Sequence, residues 1–590
     1  MENFAFLIVK SQWWLLRKIV FSLRGSRTCQ GASGSVGCGR PRFRVAAFVL
    51  LSSAVLCLAS EPAALLADEA RSILEQVSPA ALRGHVSFLA SDALEGRGTP
   101  SAGLEIAAEY VASRFRAAGL EPAAGDSYFQ TAEVTERRKN LDGFALKLAV
   151  GDRAVDVAPS AVTDVQASCA LDLTHTPVGT VQLKETAELD GLVSQGAAGK
   201  VVLASAAGMG GRGLRRALSR LRRLATDRQP ALVVVLDEEE ALPSRMRGPT
   251  LHLPFERRAS CDSSREESVA GARVESPIRA GPPQVPSPER VADRAPLIQV
   301  RDRQLLELFR SLRDGAQATA DVHLPPPLDR PIMLRNVAAI VRGTGVPPED
   351  SYILVSAHYD HVGIGEVSSG DAIYNGANDN ASGTATLLEV AAALQRAEGR
   401  LKRSVVFVAF FGEENGLLGS RYYAERPLLP LEKTVLNLNL EQTGRPDGDG
   451  GGRAARASLT GFAYSTATRA FVSAGEQTGV RVEPTAHSDD YFSRSDNVAF
   501  ARKGVPAHTL CVTYEYTDYH RPSDHWDKID YENMALVTRT VALGLLIASN
   551  GDEEPRWDES NPKTADYVKA WKERRAASPA GPALAAPGAR

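Results

Sequence analysis

A chain of 590 residues, of which 44 % are hydrophobic and 24 % charged, can bury a large core and should form more than one domain. A net charge of -3 and a pI near 6.4 argue against binding to nucleic acid or to an anionic membrane through bulk charge. The cysteines form no CxxC pair, which excludes a thiolate zinc ribbon and a dithiol redox motif. We expect Cys169, Cys261 and Cys511 to be unpaired, and a Cys169–Cys261 disulfide is the alternative in an exported protein.

Residues 1–60 are typical of a targeting segment. Arg40, Arg42 and Arg44 precede an uncharged apolar run at 45–59, and the small residue Ser60 follows it. A basic region, a short apolar run and a small-residue exit are the parts of a secretory signal, and the run is short for a membrane span. The sequence therefore predicts an exported protein that is periplasmic, extracellular or membrane-anchored, with a tethering helix as the alternative to a cleaved signal.

Hydrophobic periodicity and composition divide the rest of the chain into four regions. They are the N-terminal part of the main domain at 61–155, a smaller β-rich insert at 156–328, the main domain at 329–550 and a charged, Ala/Pro-rich tail at 551–590. In the first region, helices flank the loop SDALEGRGTPSAG at 91–103, which is either a connector or part of the rim of a substrate pocket.

The insert contains three features that we interpret from composition. An Arg-rich helix at 214–224 should present a solvated face, and a polar stretch at 256–293 should be a flexible loop. The proline-rich segment at 323–331 should be a stiff linker to the main domain.

The main domain alternates strand and helix patterns, which indicates an α/β fold with a mixed sheet. The predicted strands lie at 336–342, 352–357, 404–411 and 434–440, and the predicted helices at 384–395, 417–425 and 534–548.

Polar blocks stand where apolar runs of the main domain stop, the place where an open α/β sheet delivers side chains into a crevice. The blocks are SAHYDH at 356–361, NGANDNASGT at 375–384, FFGEENGLLGS at 410–420, LNLNLEQTG at 436–444 and YHRPSDH at 519–525. Together they supply the histidines and carboxylates of a two-metal hydrolase centre.

Each block offers a chemically distinct group. Asp360 is placed to accept the second ring N–H of a metal-binding His358, and it is a predicted catalytic-site residue for that reason. Asp379 lies in a turn of small residues, and its two oxygens could bridge two metals. It also precedes a helix that Asn380 or Ser382 could cap.

The acids of the third block are adjacent to each other. Glu413 and Glu414 follow a buried strand directly, and adjacent carboxylates repel each other unless a cation or a proton is present. One of them can ligate a metal while the other takes a proton from water. Glu441 adds a carboxylate, and His520 adds a second imidazole. His and carboxylate ligation of this kind suits zinc.

The five blocks, in this order, resemble the co-catalytic dizinc exopeptidases, which include bacterial leucyl aminopeptidases and glutamate carboxypeptidase. The resemblance covers about 330–548 and implies two zinc ions and peptide-bond hydrolysis, with 329–550 as a catalytic domain. It implies a ligand role for five residues and a general-base role for Glu413. The implied ligands are His358 and Glu441 for one zinc, Glu414 and His520 for the other, and Asp379 as the bridge.

The region at 156–328 resembles, more weakly, the protease-associated domain inserted in many members of that family. The predicted function is a zinc exopeptidase, most simply an aminopeptidase, acting on a peptide or a small amide. A zinc carboxypeptidase, a glutaminyl-cyclase-like acyltransferase and a non-catalytic receptor-like protein are the alternatives. We expect no nucleic-acid partner, and membrane contact only through an uncleaved N-terminal segment.

Three further side chains lie near the blocks in sequence. Tyr519 could stabilise an oxyanion, although a buried core tyrosine is the more ordinary interpretation. The resemblance assigns no role to His361 or His525, and we expect each of them to lie at the surface or behind the metal ligands.

Overall fold

The computed structural model describes residues 70, 74–184, 197–205, 217, 221, 230–236, 249–256, 295–313, 315–345, 351–448 and 452–577. The predicted targeting segment, most of the Arg-rich helix and nearly all of the polar loop at 256–293 lie outside these residues. The described residues belong to one unit that runs from Ala67 to Arg590. Within the described part of the chain, no helix combines the length and the apolar character needed to cross a membrane.

Of the α-helices whose bounds are described, two precede residue 118 and seven follow residue 302. In chain order they are α1 (Pro79–Leu89), α2 (Ala102–Ala117), α3 (Arg303–Arg313), α4 (Gly383–Gln395), α5 (Leu418–Glu425), α6 (Thr468–Thr478), α7 (Asn497–Ala501), α8 (Tyr531–Asn550) and α9 (Ala565–Ala577). Side chains cap several of them: Ser78 and Ser101 accept main-chain N–H bonds at the starts of α1 and α2, and Asp530 does so at α8.

Most of the strands are short, and three of those in the described residues have ten or more residues. In chain order they are β1 (Glu121–Pro122), β2 (Phe129–Arg138), β3 (Ala145–Val150), β4 (Arg153–Asp156), β5 (Val162–Gln166), β6 (Leu171–Gln182), β7 (Val201–Ser205), β8 (Leu232–Leu236), β9 (Thr250–His252), β10 (Leu297–Val300), β11 (Thr319–Leu324), β12 (Leu328–Val341), β13 (Tyr352–His358), β14 (Gly363–Ser368), β15 (Asp371–Tyr374), β16 (Ser404–Phe410), β17 (Thr434–Leu440), β18 (Arg456–Leu459), β19 (Arg481–Val482) and β20 (Ala507–Cys511).

The main sheet is mixed, as the sequence predicts. Its strand order is β19-β18-β20-β17-β13-β16-β12-β2-β9, and β1 adds to β12. The four central strands β20, β17, β13 and β16 are parallel, whereas β12 runs antiparallel to β16. The carboxyl ends of the four parallel strands therefore meet at one edge of the sheet.

Both faces of this sheet are covered, so the domain has three layers. Alternate residues of β12 point to opposite sides: Val337 and Ala339 pack in one apolar cluster, and Ala338 and Ile340 pack in another. The first cluster contains α1, α2, α4 and α8, and the second contains α5, α7 and α9. Burial on both faces explains why the central strands read as continuous apolar runs.

The predicted linker at 323–331 is wrong. Its first residues end β11, and Leu328 already begins β12, which pairs with β2 from Leu328↔Arg138 to Val337↔Phe129. Pro331 is tolerated because β12 pairs with β16 only from Val337 onward, so one side of the strand is free of ladder bonds at the proline.

A second sheet lies within residues 145–324. Its strand order is β4-β3-β11-β6-β7-β8-β10-β5, and β7, β8 and β10 are completely buried. It has an apolar cluster of its own, in which α3 packs through Leu305 and Phe309. The relationship of this region to protease-associated domains stays a prediction.

One local expectation changes at the cysteines. Cys169 is disulfide-bonded, so the expectation that it is unpaired is wrong, whereas Cys511 is buried and forms no disulfide. Cysteine spacing in a sequence does not show which sulfurs come together in space.

The region after Asn550 packs on the domain as far as α9: Trp557 is 4 % exposed, and its indole donates to the Gly504 carbonyl at 3.2 Å.

Candidate metal centre

All five blocks meet at the carboxyl edge of the four parallel strands. His358 is the last residue of β13, Glu413 and Glu414 follow β16, and Glu441 follows β17. His520 comes from the loop after β20, and Asp379 comes from the tight turn before α4. Because neighbouring parallel strands end at the same edge, residues far apart in the sequence converge on one site.

Asp379 lies between the two imidazoles. Its Oδ1 is 3.4 Å from His358 Nε2, and its Oδ2 is 2.7 Å from His520 Nε2. On one side, His358 Nε2 is also 3.6 Å from Glu441 Oε1. On the other, His520 Nε2 is 2.9 Å from Glu414 Oε1. Oδ1 of Asp379 thus faces the group of possible metal ligands that contains His358 and Glu441, and Oδ2 faces the group that contains His520 and Glu414.

Asp360 connects the histidine to the acidic turn. Its carbonyl is 3.2 Å from His358 Nδ1, and its Oδ1 is 3.5 Å from the same nitrogen. The two carboxylate oxygens accept the main-chain N–H groups of Glu413 and Glu414 at 3.1 and 3.3 Å. Asp360 is fully buried under these contacts, so it positions the ligand-bearing segments rather than reaching substrate.

The turn that presents Asp379 is fixed by Asp524. One oxygen, Oδ2, accepts the N–H groups of Asn378 and Asp379 at 3.0 and 3.2 Å and the Tyr516 hydroxyl at 2.8 Å. Gly376 begins the turn at φ 60, and a Cβ on it would lie 2.5 Å from the His361 ring. The turn therefore requires glycine there. Asp524 is a positioning residue that the sequence did not point to.

Asn380 and Ser382 both bond within this region. Asn380 Oδ1 accepts the Gly383 N–H at 3.0 Å at the start of α4, which agrees with the predicted cap, and the Ser382 hydroxyl donates to the Asn378 carbonyl at 2.8 Å. The same side chains reach the segment after Glu441, since Asn380 Oδ1 also accepts the Gln442 N–H at 3.2 Å.

His361 does not lie at the surface, and its burial in the site agrees with the other expected position, behind the proposed ligands. It is 1 % exposed, and its Nδ1 lies 3.0 Å from Glu414 Oε1 and 4.0 Å from Asp379 Oδ2. Ligand atoms of His361, Asp379, Glu414 and His520 all lie within 4.8 Å of one another. Neither ring nitrogen of His361 has a hydrogen-bond partner of normal geometry. The spacing His-x-x-His in HYDH was the available signal.

Replacing His361 with alanine should weaken zinc binding by about 10- to 100-fold, the usual cost of losing a group that supports a metal ligand. The reason is that Glu414 Oε1 loses its 3.0 Å contact with the His361 ring. Competition with a chromogenic chelator measures the affinity. The control is His525→Ala. His525 lies outside the group of possible metal ligands, and its Nε2 is 3.8 Å from Asp371 Oδ2. Equal zinc affinities for the two variants would contradict the prediction.

The electrostatics of the site call for a cation. Burial raises the pKa of Glu413 well above its usual range, and Glu414 and Glu441 raise it further, against the opposing effect of His358. Burial likewise raises the pKa of Glu441 to about 7. Burial lowers the pKa of His520, but Glu414 and Asp379 outweigh it and raise the value to about 9. These shifts mean that several groups of the site favour their protonated forms, and a divalent cation could supply the same positive charge.

The donor set fits zinc. Imidazole nitrogens and carboxylate oxygens are its ordinary ligands besides thiolate, and a catalytic site keeps a coordination position for water or substrate. Two features of the site fit a bound cation. The ring nitrogens of His361 have no hydrogen-bond partner of normal geometry, and the carboxylates lie close together without a compensating positive charge.

Residues 336–544 match the model of peptidase family M28. This domain belongs to peptidase family M28. The match begins within β12 and ends within α8, so it contains every predicted ligand and Glu413. The predicted relationship to zinc exopeptidases is thereby confirmed for the M28 domain.

Curated relatives carry peptidase names. The chain is 29 % identical over 238 residues to leucine aminopeptidase 2 of Trichophyton rubrum, which covers 36 % of this chain and 44 % of that protein. It is 29 % identical over 221 residues to a probable zinc metalloprotease of Leptosphaeria maculans, covering 33 % and 49 %. The chain thus spans less than half the length of these relatives. Among solved structures, an aminopeptidase from Aneurinibacillus sp. strain AM-1 aligns with a TM-score of 0.49 at 19 % identity, covering 83 % and 97 %.

Other residues near the M28 site have structural contacts. Asn497 is buried, donating to the Phe492 carbonyl at 3.0 Å and accepting from Thr509 at 2.9 Å. Arg421 pairs with Glu256. Tyr519 is not a core residue, since it is 38 % exposed and stacks on His520 with ring centroids 3.8 Å apart.

Proposed function

We propose that the protein is a zinc-dependent aminopeptidase whose centre holds two zinc ions. His358 and Glu441 would hold one, Glu414 and His520 the other, and Asp379 would bridge them. The observation that carries the proposal is the position of Asp379, whose Oδ1 and Oδ2 face His358 at 3.4 Å and His520 at 2.7 Å. A carboxylate that presents one oxygen to each donor group has the geometry of a bridge.

Zinc bound in this centre would lower the pKa of a water molecule and polarise the scissile carbonyl. Glu413 is the general base in the proposal: its carboxylate accepts the water proton and then delivers it to the leaving amine. Burial raises the pKa of Glu413 well above its usual value. A raised pKa makes a carboxylate better at accepting a proton near neutral pH, which supports this role.

Tyr519 is suited to stabilise the developing oxyanion. Its ring is fixed by stacking on His520, and part of its surface is open to solvent. A tyrosine hydroxyl ordinarily has a pKa near 10, so it keeps its proton at neutral pH. A protonated hydroxyl beside the site can donate a hydrogen bond to an oxygen that gains charge in the transition state.

Aminopeptidase activity is preferred over carboxypeptidase activity because the M28 domain is similar to proteins named leucine aminopeptidase. The proposal includes export, supported by the predicted signal and by the disulfide at Cys169, since disulfides persist in oxidising compartments. A Sclerotinia sclerotiorum relative is named a vacuolar membrane protease. We further propose that the sheet within 145–324 is a protease-associated-like insert.

A panel of reporter peptides tests the proposal. Purified protein is assayed on aminoacyl anilides, on peptides with a free carboxyl terminus and on an N-terminal glutaminyl peptide, with zinc and with a chelator. We expect chelator-sensitive release of N-terminal residues and about two zinc ions per chain. Release of C-terminal residues would indicate a carboxypeptidase. Cyclisation with one zinc would indicate an acyltransferase, and zinc binding without turnover would indicate a receptor-like protein.

A further inference from the structure

We propose that Arg97, which lies outside the residues matched by the M28 model, is a positioning residue that holds the two ends of the ligand-bearing segment 358–379 together. The inference rests on the proposed two-zinc centre. Arg97 belongs to the loop between α1 and α2, for which the sequence allowed a connector or a pocket rim. The loop does more than connect the two helices, because Arg97 is fully buried.

The guanidinium of Arg97 bonds to main-chain carbonyls on both sides of the centre. Nε donates to the Tyr359 carbonyl at 2.8 Å, one residue after the ligand His358. Nη1 donates to the Asn375 carbonyl at 2.8 Å, and Nη2 donates to the Gly376 carbonyl at 3.0 Å, three residues before Asp379. Nη1 also donates to the Leu89 carbonyl at the end of α1.

These bonds join the two ends of a loop from Tyr359 to Asn375, which we call the excursion. Between Tyr359 and Asn375 the chain leaves the sheet, forms the β14–β15 hairpin and returns to the Asp379 turn. His358 and Asp379 stand at its two ends, so the distance between these ligands depends on how the ends are joined. Arg97 joins them through one rigid planar group, and α1 anchors that group from the other side.

The rest of the loop is also built into the centre. Asn375 donates through Nδ2 to the Ala90 carbonyl at 3.0 Å and to Asp92 Oδ1 at 2.8 Å, and the Thr99 hydroxyl lies 3.4 Å from Asp360 Oδ2. The main-chain N–H of His361 donates to the Arg97 carbonyl at 3.2 Å. A Cβ on Gly98 would lie 3.0 Å from the Gly363 Cα. The loop therefore contacts both ends of the excursion as well as its hairpin.

Arginine is the residue type that this position needs. Its five N–H donors lie in one plane, which allows a single side chain to serve several carbonyls, whereas lysine offers one nitrogen at the end of a flexible stem. Burial lowers the pKa of Arg97 to about 10, while Asp360, Asp524 and Asp379 favour the charged form. The side chain thus stays cationic at neutral pH beneath a cluster of carboxylates.

The test compares Arg97→Lys with Arg403→Lys. Arg403 is also buried and also donates to main-chain carbonyls, those of Ala548 and Gly551, but it lies at the amino end of β16, opposite Glu413. Both variants should lose thermal stability. Only Arg97→Lys should change the visible absorption spectrum of the cobalt-substituted protein, lower zinc affinity by about 10- to 100-fold, and lower kcat with little change in KM.

A folded Arg97→Lys protein with the wild-type cobalt spectrum and zinc affinity would overturn the inference, because Arg97 would then act only on stability. If Arg97→Lys does not accumulate as folded protein, Arg97→Gln is measured in the same way and judged by the same criterion. Failure of the proposed function is a separate outcome, since wild-type protein would then bind no zinc or hydrolyse no peptide.

Discussion

Glu413→Gln is expected to lower kcat for peptide hydrolysis by about 10²- to 10⁴-fold, the usual contribution of a general acid-base group, while zinc content stays at the wild-type level. Glutamine keeps the size of the side chain and the main-chain N–H that bonds to Asp360 Oδ1, but it cannot accept a proton. The change therefore removes proton transfer without removing a proposed ligand. Initial rates on an aminoacyl anilide and zinc analysis of the same preparation measure the two quantities.

The matched control is Glu398→Gln, because Glu398 is exposed and bonds only locally to Gln395, three residues away. Its activity should equal that of the wild type. Retention of full activity by Glu413→Gln would mean that another group takes the proton. A joint loss of zinc and activity would mean that Glu413 is a ligand, and the roles of Glu413 and Glu414 would have to be exchanged.

The main sheet could be predicted from the sequence because each central strand is a short apolar run that ends in polar residues. The prediction at 434–440 coincides with β17, and the helix predicted at 384–395 differs from α4 by one residue. Burial on both faces produces this pattern. The place of the proposed ligands followed from the same feature, since His358 and Glu441 stand where their strands end.

The contributions of Arg97 and His361 could not be predicted in the same way. Arg97 is 262 residues from Tyr359, whose carbonyl it contacts, and hydrophobic periodicity carries no information about such a pair. His361 follows the proposed ligand His358 by three residues, and it lies beyond the strand pattern that would have shown the direction of its side chain. Both positions are fixed by the loops at the sheet edge, where chain direction depends on turns and tertiary contacts.

The errors at the linker and at Cys169 have related causes. A proline-rich stretch is usually extended, and an extended chain can equally be a linker or a strand that pairs on one side. At 328–331 the partner is β2, nearly two hundred residues earlier in the chain (Leu328↔Arg138, a separation of 190), and composition does not reveal it. Disulfide pairing likewise depends on which sulfurs come together in space, and the local sequence around Cys169 does not show this.

Asp379→Asn is expected to lower zinc content from about two ions per chain to below one, because a bridging carboxylate is a ligand of both metals. His358→Ala and His520→Ala should each lose about one ion, since each imidazole faces a different oxygen of Asp379. The amide of asparagine occupies nearly the same volume, and the main-chain N–H of residue 379 keeps its bond to Asp524. The turn should therefore fold, and hydrolysis should be lost with the metal.

Zinc analysis after gel filtration, with circular dichroism to confirm folding, measures this effect. Asp527→Asn is the control, because Asp527 is exposed on the segment that follows His520 and contributes nothing to the ligand group. If Asp379→Asn loses only one zinc ion, Asp379 binds a single metal, and the two donor groups do not share it. If it retains both ions, the central carboxylate does not hold metal at all, and the charge that Glu414 and Glu441 require must come from elsewhere.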